Sequence, residues 1–497
     1  MAKEGPNFVF IMTDQQRRDS LGCYGNGVAR TPNLDRLAGE GVIFDHAYTA
    51  NVVCMPSRVT LLTGRYPRAH GVITNGFVTP MDEITLGACL AGVGYATAAV
   101  GKTHLTPPAY GEYPPGSGKT YIGPETRPWH EAGRDYPLPY YGFEHMMTHQ
   151  GHPDDWTHHY RELVAIDPKL PELWKQEHAL APPTGAPSSW KSGMPEEHSS
   201  SVWVADKTIA FIDRFQAEGK PFFIQVGFPD PHFPYSPVAP WCYMYDPADV
   251  PMPNRSPEEV RLKSGHYRRR LERFEKALGY HPREMPEAYV REIIAHTYGM
   301  VSQIDHTVGR IVKHIEERKL AENTIVVFLT DHGEHLGDHY LIYKAVVYDE
   351  LYHLPMIWWG PGHLAKGRRV EEMVSFVDFM PTVLDLAGVK EPRGVQGRSF
   401  RKALAGEAFK GRDATLMEDD DEDNSAFCRT IRTARYHMTY HLPEREGELY
   451  DMQDDPKQLV NRYNDRAYRN ARAELFEIMS IEMMLACDPK PEQVAAY

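Results

Sequence analysis

Four apolar runs that each stop at a titratable side chain constrain this chain more than any other feature of its sequence. Asn7 to Met12 is almost continuously apolar and ends at Thr13-Asp14-Gln15-Gln16. Tyr95 to Val100 leads into Gly101-Lys102, Pro221 to Phe228 into Asp230-Pro231-His232, and Thr324 to Thr330 into Asp331-His332. Apolar runs without polar alternation read as strands buried on both faces, which implies a largely parallel sheet with helices above and below it. One such helix shows where Val290, Ile294, Val301, Ile304, Val308, Ile311 and Ile315 recur at helical spacing, a stripe that reads as core packing. Another is expected after Thr31-Pro32, with Thr31 as its N-cap and Gly39 and Gly41 as its stop. The expected fold is α/β. Functional groups in such sheets gather at the carboxyl ends of strands, where Asp14, Lys102, His232 and Asp331 all fall.

A chain of 497 residues is long for one core. Residues 1–388 are expected to form the main α/β domain, with Val42 to Tyr48 as a further strand. Leu105 to Ser200 and Ser236 to Glu284 are rich in Pro, Tyr, Trp and His with little clear periodicity. They read as long loop insertions, near 105–200 and 236–284, lying over the strand ends where substrate selection resides. Beyond Gly388 the texture changes to β-like runs such as Cys428 to His441, then a helix near Ala467 to Met484. Residues 389–497 are therefore expected to form a smaller α+β domain.

The net charge of −14 argues against nucleic acid or an anionic membrane as partner. An anionic substrate would have to be drawn in by a local cluster of cations, because the field of the whole molecule opposes it. The six cysteines are scattered, with no CxxC pair, so neither a disulfide framework nor a zinc ribbon is indicated. The chain moves almost directly into a strand and has no long apolar run. A cytoplasmic protein without a membrane span is expected.

The most informative segment is Asn51-Val52-Val53-Cys54-Met55-Pro56-Ser57-Arg58. Pro56 suits the first turn of a helix, which puts Cys54 at the helix N-terminus, where partial positive charge stabilises an anion. On position alone an activated thiol and a buried structural cysteine weigh equally. Asn75, in Thr74-Asn75-Gly76, reads equally as a substrate contact or a turn residue. His70 reads as structural, the acidic run Glu418 to Asp423 as a solvated loop, and His149, His152, His158 and His159 as loop residues without ligand spacing.

Cys54-Met55-Pro56-Ser57-Arg58, continuing to Leu62-Thr63-Gly64-Arg65, resembles the C-x-P-S-R signature of the formylglycine-dependent sulfatases, in the alkaline phosphatase superfamily. The resemblance runs along the chain in order. It takes in Phe10 to Gln15, Gly101-Lys102-Thr103-His104-Leu105, Pro231-His232-Phe233-Pro234 and Thr330 to Gly333. Gly337-Asp338-His339 with Lys344, and finally Gly447 to Asp451, complete it.

The resemblance implies that Cys54 is oxidised to formylglycine (3-oxoalanine) by a maturation enzyme. Its hydrate attacks sulfur or phosphorus, and the second hydroxyl then expels the acid. It implies Asp14, Gln15, Asp331 and His332, with the modified Cys54, as ligands of one divalent metal. Oxygen ligands plus one imidazole suit calcium or manganese more than zinc, and Gln15 in place of the usual second acid leaves room for manganese. Arg58 would help ionise the nucleophile, while Lys102 and Lys344 hold the anionic oxygens. His104, His232 or Lys344 would protonate the leaving oxygen, with His232 preferred. Substrate contacts would come from Asn75, Lys102, His232 and Lys344.

The expected activity is hydrolysis of aryl or other small sulfate monoesters. The alternative is a phosphonate monoester or phosphodiester hydrolase with the same machinery; the Gly101-Lys102-Thr103-His104 element tilts the reading to sulfate. A catalytically dead metal-binding scaffold predicts a damaged motif, and none is seen at Cys54, Arg58, Lys102, His232 or Lys344. The expected partners are thus a small anionic ester and the maturation enzyme, and a homo-oligomer is compatible with the chain.

Overall fold

The structure, a computed structural model, describes residues 5–108, 112, 117–151, 157–344, 346–420 and 427–487. The main sheet is built from β1 (Asn7–Thr13), β2 (Val42–Phe44), β3 (Ala96–Gly101), β4 (His145–Thr148), β5 (Phe222–Gly227), β6 (Thr324–Thr330), β7 (Met356–Trp359) and β8 (Arg368–Val370). Their order is β8-β2-β7-β6-β1-β5-β3-β4. Every pairing is parallel except those of β7, which runs antiparallel to both neighbours.

Alternation along β1 explains why helices cover both faces. Phe8, Phe10 and Met12 point into one core, with Met55, Val59 and Leu62 of α2 (Cys54–Thr63). Val9 and Ile11 point into the other. There they meet Val204 and Ile212 of α3 (Ser200–Glu218) and Val301, Ile304, Val308 and Ile311 of α5 (Glu287–Glu317). Each fully buried aliphatic or aromatic side chain contributes about 1.5–3 kcal/mol. That is why the runs carry no polar alternation.

Some expectations need correcting. The run Val42 to Tyr48 is two strands, because Asp45 turns away to Arg18 and Arg369 at the sheet edge. Its second half, Ala47–Tyr48, joins a small sheet with His353–Leu354 and Val374–Ser375. Helix α1 (Pro32–Glu40) starts after Thr31 as expected, but the Thr31 hydroxyl accepts from the Gly22 amide and caps nothing; Gly41 ends the helix. Residues 105–200 are more than loop, since they supply edge strand β4 and the helix His158–Ile166. Residues 236–284 contain α4 (Gly265–Leu278).

The C-terminal part is a four-stranded antiparallel sheet, β9 (Ala414–Asp420), β10 (Phe427–Thr433), β11 (Tyr436–His441) and β12 (Glu446–Asp451). Helix α7 (Arg469–Leu485) lays Leu475 and Met479 over Ala414, Ile431, Met438 and Leu449; α6 (Phe379–Leu386) belongs to the main domain. Buried polar contacts fasten this unit to the main sheet. His437 Nδ1 lies 2.9 Å from Asp349, and Glu448 accepts from the Ser264 amide at 2.8 Å and from the hydroxyls of Tyr348 and Tyr450.

Burial by itself would raise the Glu448 carboxyl, but the charges of Lys263 and His441 and these hydrogen bonds outweigh it and hold the group at about 2. Because the folded value is depressed, the stabilisation is present above the ordinary carboxylate range and is lost as pH falls toward 2. Glu448→Gln should therefore flatten the acid limb of the stability curve between about pH 4.5 and 2, where the wild type loses roughly 3 kcal/mol through this group. Urea midpoints measured across that range check this. An unchanged acid limb would show that Glu448 is not the group responsible.

Candidate active site

The four titratable strand ends come together because β6, β1, β5 and β3 are neighbours in the sheet. Asp14 follows β1, Asp331 follows β6, and Lys102 follows β3. The turn into Lys102 requires glycine: Gly101 has φ +78°, and a Cβ there would lie 2.0 Å from the Gly227 carbonyl oxygen.

Cys54 is the first residue of α2, with Val53 at the cap. The cap side chain itself makes no bond to the helix. Asn51 and Asn75 instead accept from the amides of Val53 and Met55 at 2.7 and 3.1 Å. Asn75 thus closes the N-terminal turn and also lines the pocket above it. One turn further on, Arg58 is fully buried. Its Nε donates to Asp331 at 2.8 Å, one terminal nitrogen to Asp14 at 3.0 Å, and the other to the Lys102 carbonyl at 2.9 Å. Ser57 fixes the same turn through a 2.6 Å bond to the Asp331 carbonyl.

The Cys54 sulfur stands among imidazole, ammonium and carboxylate groups. It lies 3.2 Å from His332 Nε2, 2.7 Å from Lys344 Nζ and 3.8 Å from Asp14 Oδ1. His332 Nδ1 lies 2.9 Å from the Gly333 carbonyl, an obligate acceptor, so Nδ1 carries the proton and Nε2 faces the cluster. Lys102 Nζ lies 2.7 Å from Asp14 Oδ2. Burial pushes the Asp14 carboxyl up, but Lys102, His232, Arg58 and Lys344 together hold it well below the usual carboxylate range. For the Cys54 thiol, burial and Asp14 push upward, while Lys344, His332 and Lys102 bring it below its ordinary value. Against the carboxylates of Asp14 and Asp331 stand the cations Arg58, Lys102 and Lys344. This local excess answers the problem set by the acidic chain as a whole.

A divalent ion fits here. Asp14, Cys54, Asp331 and His332 each offer one ligand atom, all within 4.8 Å of one another. Gln15 adds to the case. Its amide nitrogen donates to Glu334, so its oxygen is the free end, and that oxygen is buried without a hydrogen-bond partner among the described residues. The backbone at Gln15 adopts φ +62°. Glu334 was not singled out in the sequence, although it sits in the same Asp331-His332-Gly333-Glu334 block.

His232 is close enough to help depress Asp14, and its Nδ1 lies 2.7 Å from the Phe233 carbonyl. His104 is buried with φ +52°, and its Nδ1 has no hydrogen-bond partner among the described residues. Burial, then Lys102 and Arg58, push its imidazole well below the ordinary value. A pocket of about 570 Å³ opens over Lys344 and Asn75; Val52, Phe233 and Tyr343 also line it.

Other sequence expectations resolve as follows. His70 is structural, bonded to Thr60 and to the Val72 amide, and burial drives it down to about 3. Glu418 and Asp420 are not solvated: they are buried, accept from Arg68, and Asp420 also pairs with Arg429 at 2.8 Å. Asp421, Glu422 and Asp423 lie outside the described residues, as does His152. His149 and His159 pack against Trp174 and Trp203.

Comparison with known proteins decides the family. The sulfatase family model matches residues 6–389, most of the chain. The chain belongs to the sulfatase family. A second model, the C-terminal region of N-sulphoglucosamine sulphohydrolase, matches residues 337–483 of this sulfatase. An arylsulfatase of Clostridium perfringens is 29% identical, covering 96% of this chain and 94% of its own. The multifunctional alkaline phosphatase superfamily protein PehA of Trinickia caryophylli is 28% identical, covering 93% of this chain and 92% of its own. Among solved structures, the phosphonate monoester hydrolase SpPMH of Silicibacter pomeroyi superposes with a TM-score of 0.80 at 26% identity, over 97% of this chain and 96% of that one. The sulfatase has no helix among the described residues that is long and apolar enough to cross a membrane.

Proposed function

We propose that this sulfatase hydrolyses sulfate monoesters, aryl or other small esters, with Cys54 converted to formylglycine. The observation that carries the reading is the position of Cys54, buried at a helix N-terminus between His332 and Lys344 and beside Asp14. Hydrated formylglycine would supply two hydroxyls on one carbon, one to attack sulfur as the alcohol leaves and one to expel sulfate and restore the aldehyde, which water then rehydrates. A calcium or manganese ion held by Asp14, Gln15, Asp331, His332 and the modified Cys54 would supply Lewis acidity at that point.

The chain's own residues do the rest. Arg58 locks both ligand carboxylates, and Lys102 and Lys344 present ammonium groups to the sulfate oxygens as charge shifts. His232 hands a proton to the leaving oxygen, with His104 and Lys344 as its alternates. Asn75 holds the nucleophile's turn and faces the substrate. Residues 1–388 carry this chemistry, and residues 389–497 contribute a rim through Asp419 and Asp420.

Phosphonate monoester hydrolysis is the second reading, favoured by the likeness to SpPMH and by Gln15. The test uses protein co-expressed with a maturing enzyme, so that Cys54, buried in the folded chain, meets that enzyme during synthesis. Mass spectrometry across Cys54 should show a loss of about 18 Da, the difference between a thiol and an aldehyde, together with dominant turnover of an aryl sulfate. Conversion with dominant phenyl phosphonate turnover would instead install the second reading. An unconverted thiol and two intact esters would end both.

A further inference from the structure

One wall of the pocket over Lys344 and Asn75 comes from α4, the helix hidden in the expected loop. Arg270, Arg273, Phe274 and Ala277 line the cavity together, at spacings of three, one and three residues, and so form one face of that helix. Its other face is anchored. Tyr267 and Leu271 are buried with Leu341, Tyr348 and Tyr450, the Tyr267 hydroxyl donates to the His339 carbonyl at 2.6 Å, and Ser264 caps the helix. The cationic face is therefore presented by a fixed element. Arg273 is exposed and makes no ion pair among the described residues.

An aromatic path joins this wall to the reaction centre. The rings of His232 and Phe233 lie 4.2 Å apart, Phe233 and Tyr343 4.1 Å, and Tyr343 and Phe274 6.0 Å. A leaving group resting on that path has an apolar face beneath it, with the guanidinium groups of Arg270 and Arg273 lining the same cavity; Asp419 and Asp420 also line it, and Asp420 is already paired with Arg429 and Arg68. Guanidinium is the side chain best matched to a planar carboxylate or a second sulfate, because its paired N–H groups donate in parallel. The volume of about 570 Å³ is ample for a ring bearing both groups.

We infer that the preferred substrate is a doubly anionic ring ester: a sulfate at Cys54 and a second anionic group, carboxylate or sulfate, held by Arg270 and Arg273. This rests on the hydrolase reading above and names the substrate class of the same site. Arg270 and Arg273 are specificity-determining residues here, and they take no part in the bond exchange.

The test compares 4-nitrophenyl sulfate with 4-sulfooxybenzoate, using converted wild type, Arg273→Gln, Arg270→Gln and Arg273→Lys. Wild type should favour the carboxylate-bearing ester in kcat/KM. Each glutamine variant should lose about 10- to 100-fold on that ester, the size of a charge-assisted contact, mainly through KM. On 4-nitrophenyl sulfate the same variants should lose less than about 3-fold, and Arg273→Lys should recover part of the preference. Equal losses on both esters, or a wild type that does not prefer the dianion, overturn the inference and leave the hydrolase reading standing. Turnover of neither ester by converted wild type overturns both.

Discussion

Cys54→Ser should lower kcat/KM toward an aryl sulfate by at least about 10⁴-fold, in the range seen when a covalent nucleophile is removed. Serine cannot become formylglycine by the route open to a thiol in this pentapeptide. A serine sulfate ester would then require a separate water attack, in a site where Cys54 is fully buried beneath Lys344 and His332. The substitution removes little packing, since both side chains are small and the sulfur faces His332, Lys344 and Asp14. Its thermal midpoint should stay within about 2 °C of wild type, as expected when ΔΔG is under roughly 1 kcal/mol. Initial rates paired with a melting curve check this. A serine variant retaining turnover within tenfold of wild type would sink the formylglycine assignment, since an ordinary alkoxide would then suffice.

Arg58→Met should hurt both stability and catalysis. The guanidinium is completely buried and bridges Asp14 at 3.0 Å and Asp331 at 2.8 Å. Methionine fills similar space but leaves two carboxylates facing each other without it, and stranding a buried charge costs about 3–5 kcal/mol. Lys102 pairs with Asp14 and limits the loss there, whereas Asp331 has no second arginine or lysine bridge among the described residues. The loss should be largest in metal-stripped protein and shrink when calcium or manganese is added, since a cation among the same carboxylates offsets the missing charge. Turnover should fall by about 10³-fold or more, as when a preorganised cation is taken from a charge-developing site. Urea midpoints with and without the ion, run beside rates, separate the two effects. A metal-stripped variant as stable as wild type would mean that Arg58 does not hold the carboxylates.

How much of this was legible depends on whether the signal is local. The four apolar runs announced the sheet because burial on both faces excludes polar residues from a parallel strand. The same runs marked the site, because the residues just after each fall at the carboxyl edge of the sheet. Helix α4 is a different case. Tyr267, Leu271, Phe274 and Leu278 do recur at helical spacing, but eight charged residues or histidines among the fourteen mask the stripe. Strand β4 is four residues long, with two only half buried, and joins the sheet by pairing with β3 nearly fifty residues earlier. Neither its length nor its composition sets it apart from loop.

The sequence alone determined the fold class and the chemistry of the strand ends, and its pentapeptide drew attention to Cys54, since these reside in short stretches whose meaning does not depend on distant residues. Only the tertiary structure decided that Gln15 turns its oxygen away from Glu334, that Asn75 closes the turn of Cys54, and that Glu418 and Asp420 are buried against Arg68 and Arg429. It also decided that Arg270, Arg273 and Lys344 line one pocket. Each of these is a contact between segments far apart in the chain. Which side chain ends up beside which is set by the packing of whole layers, and no local pattern encodes it.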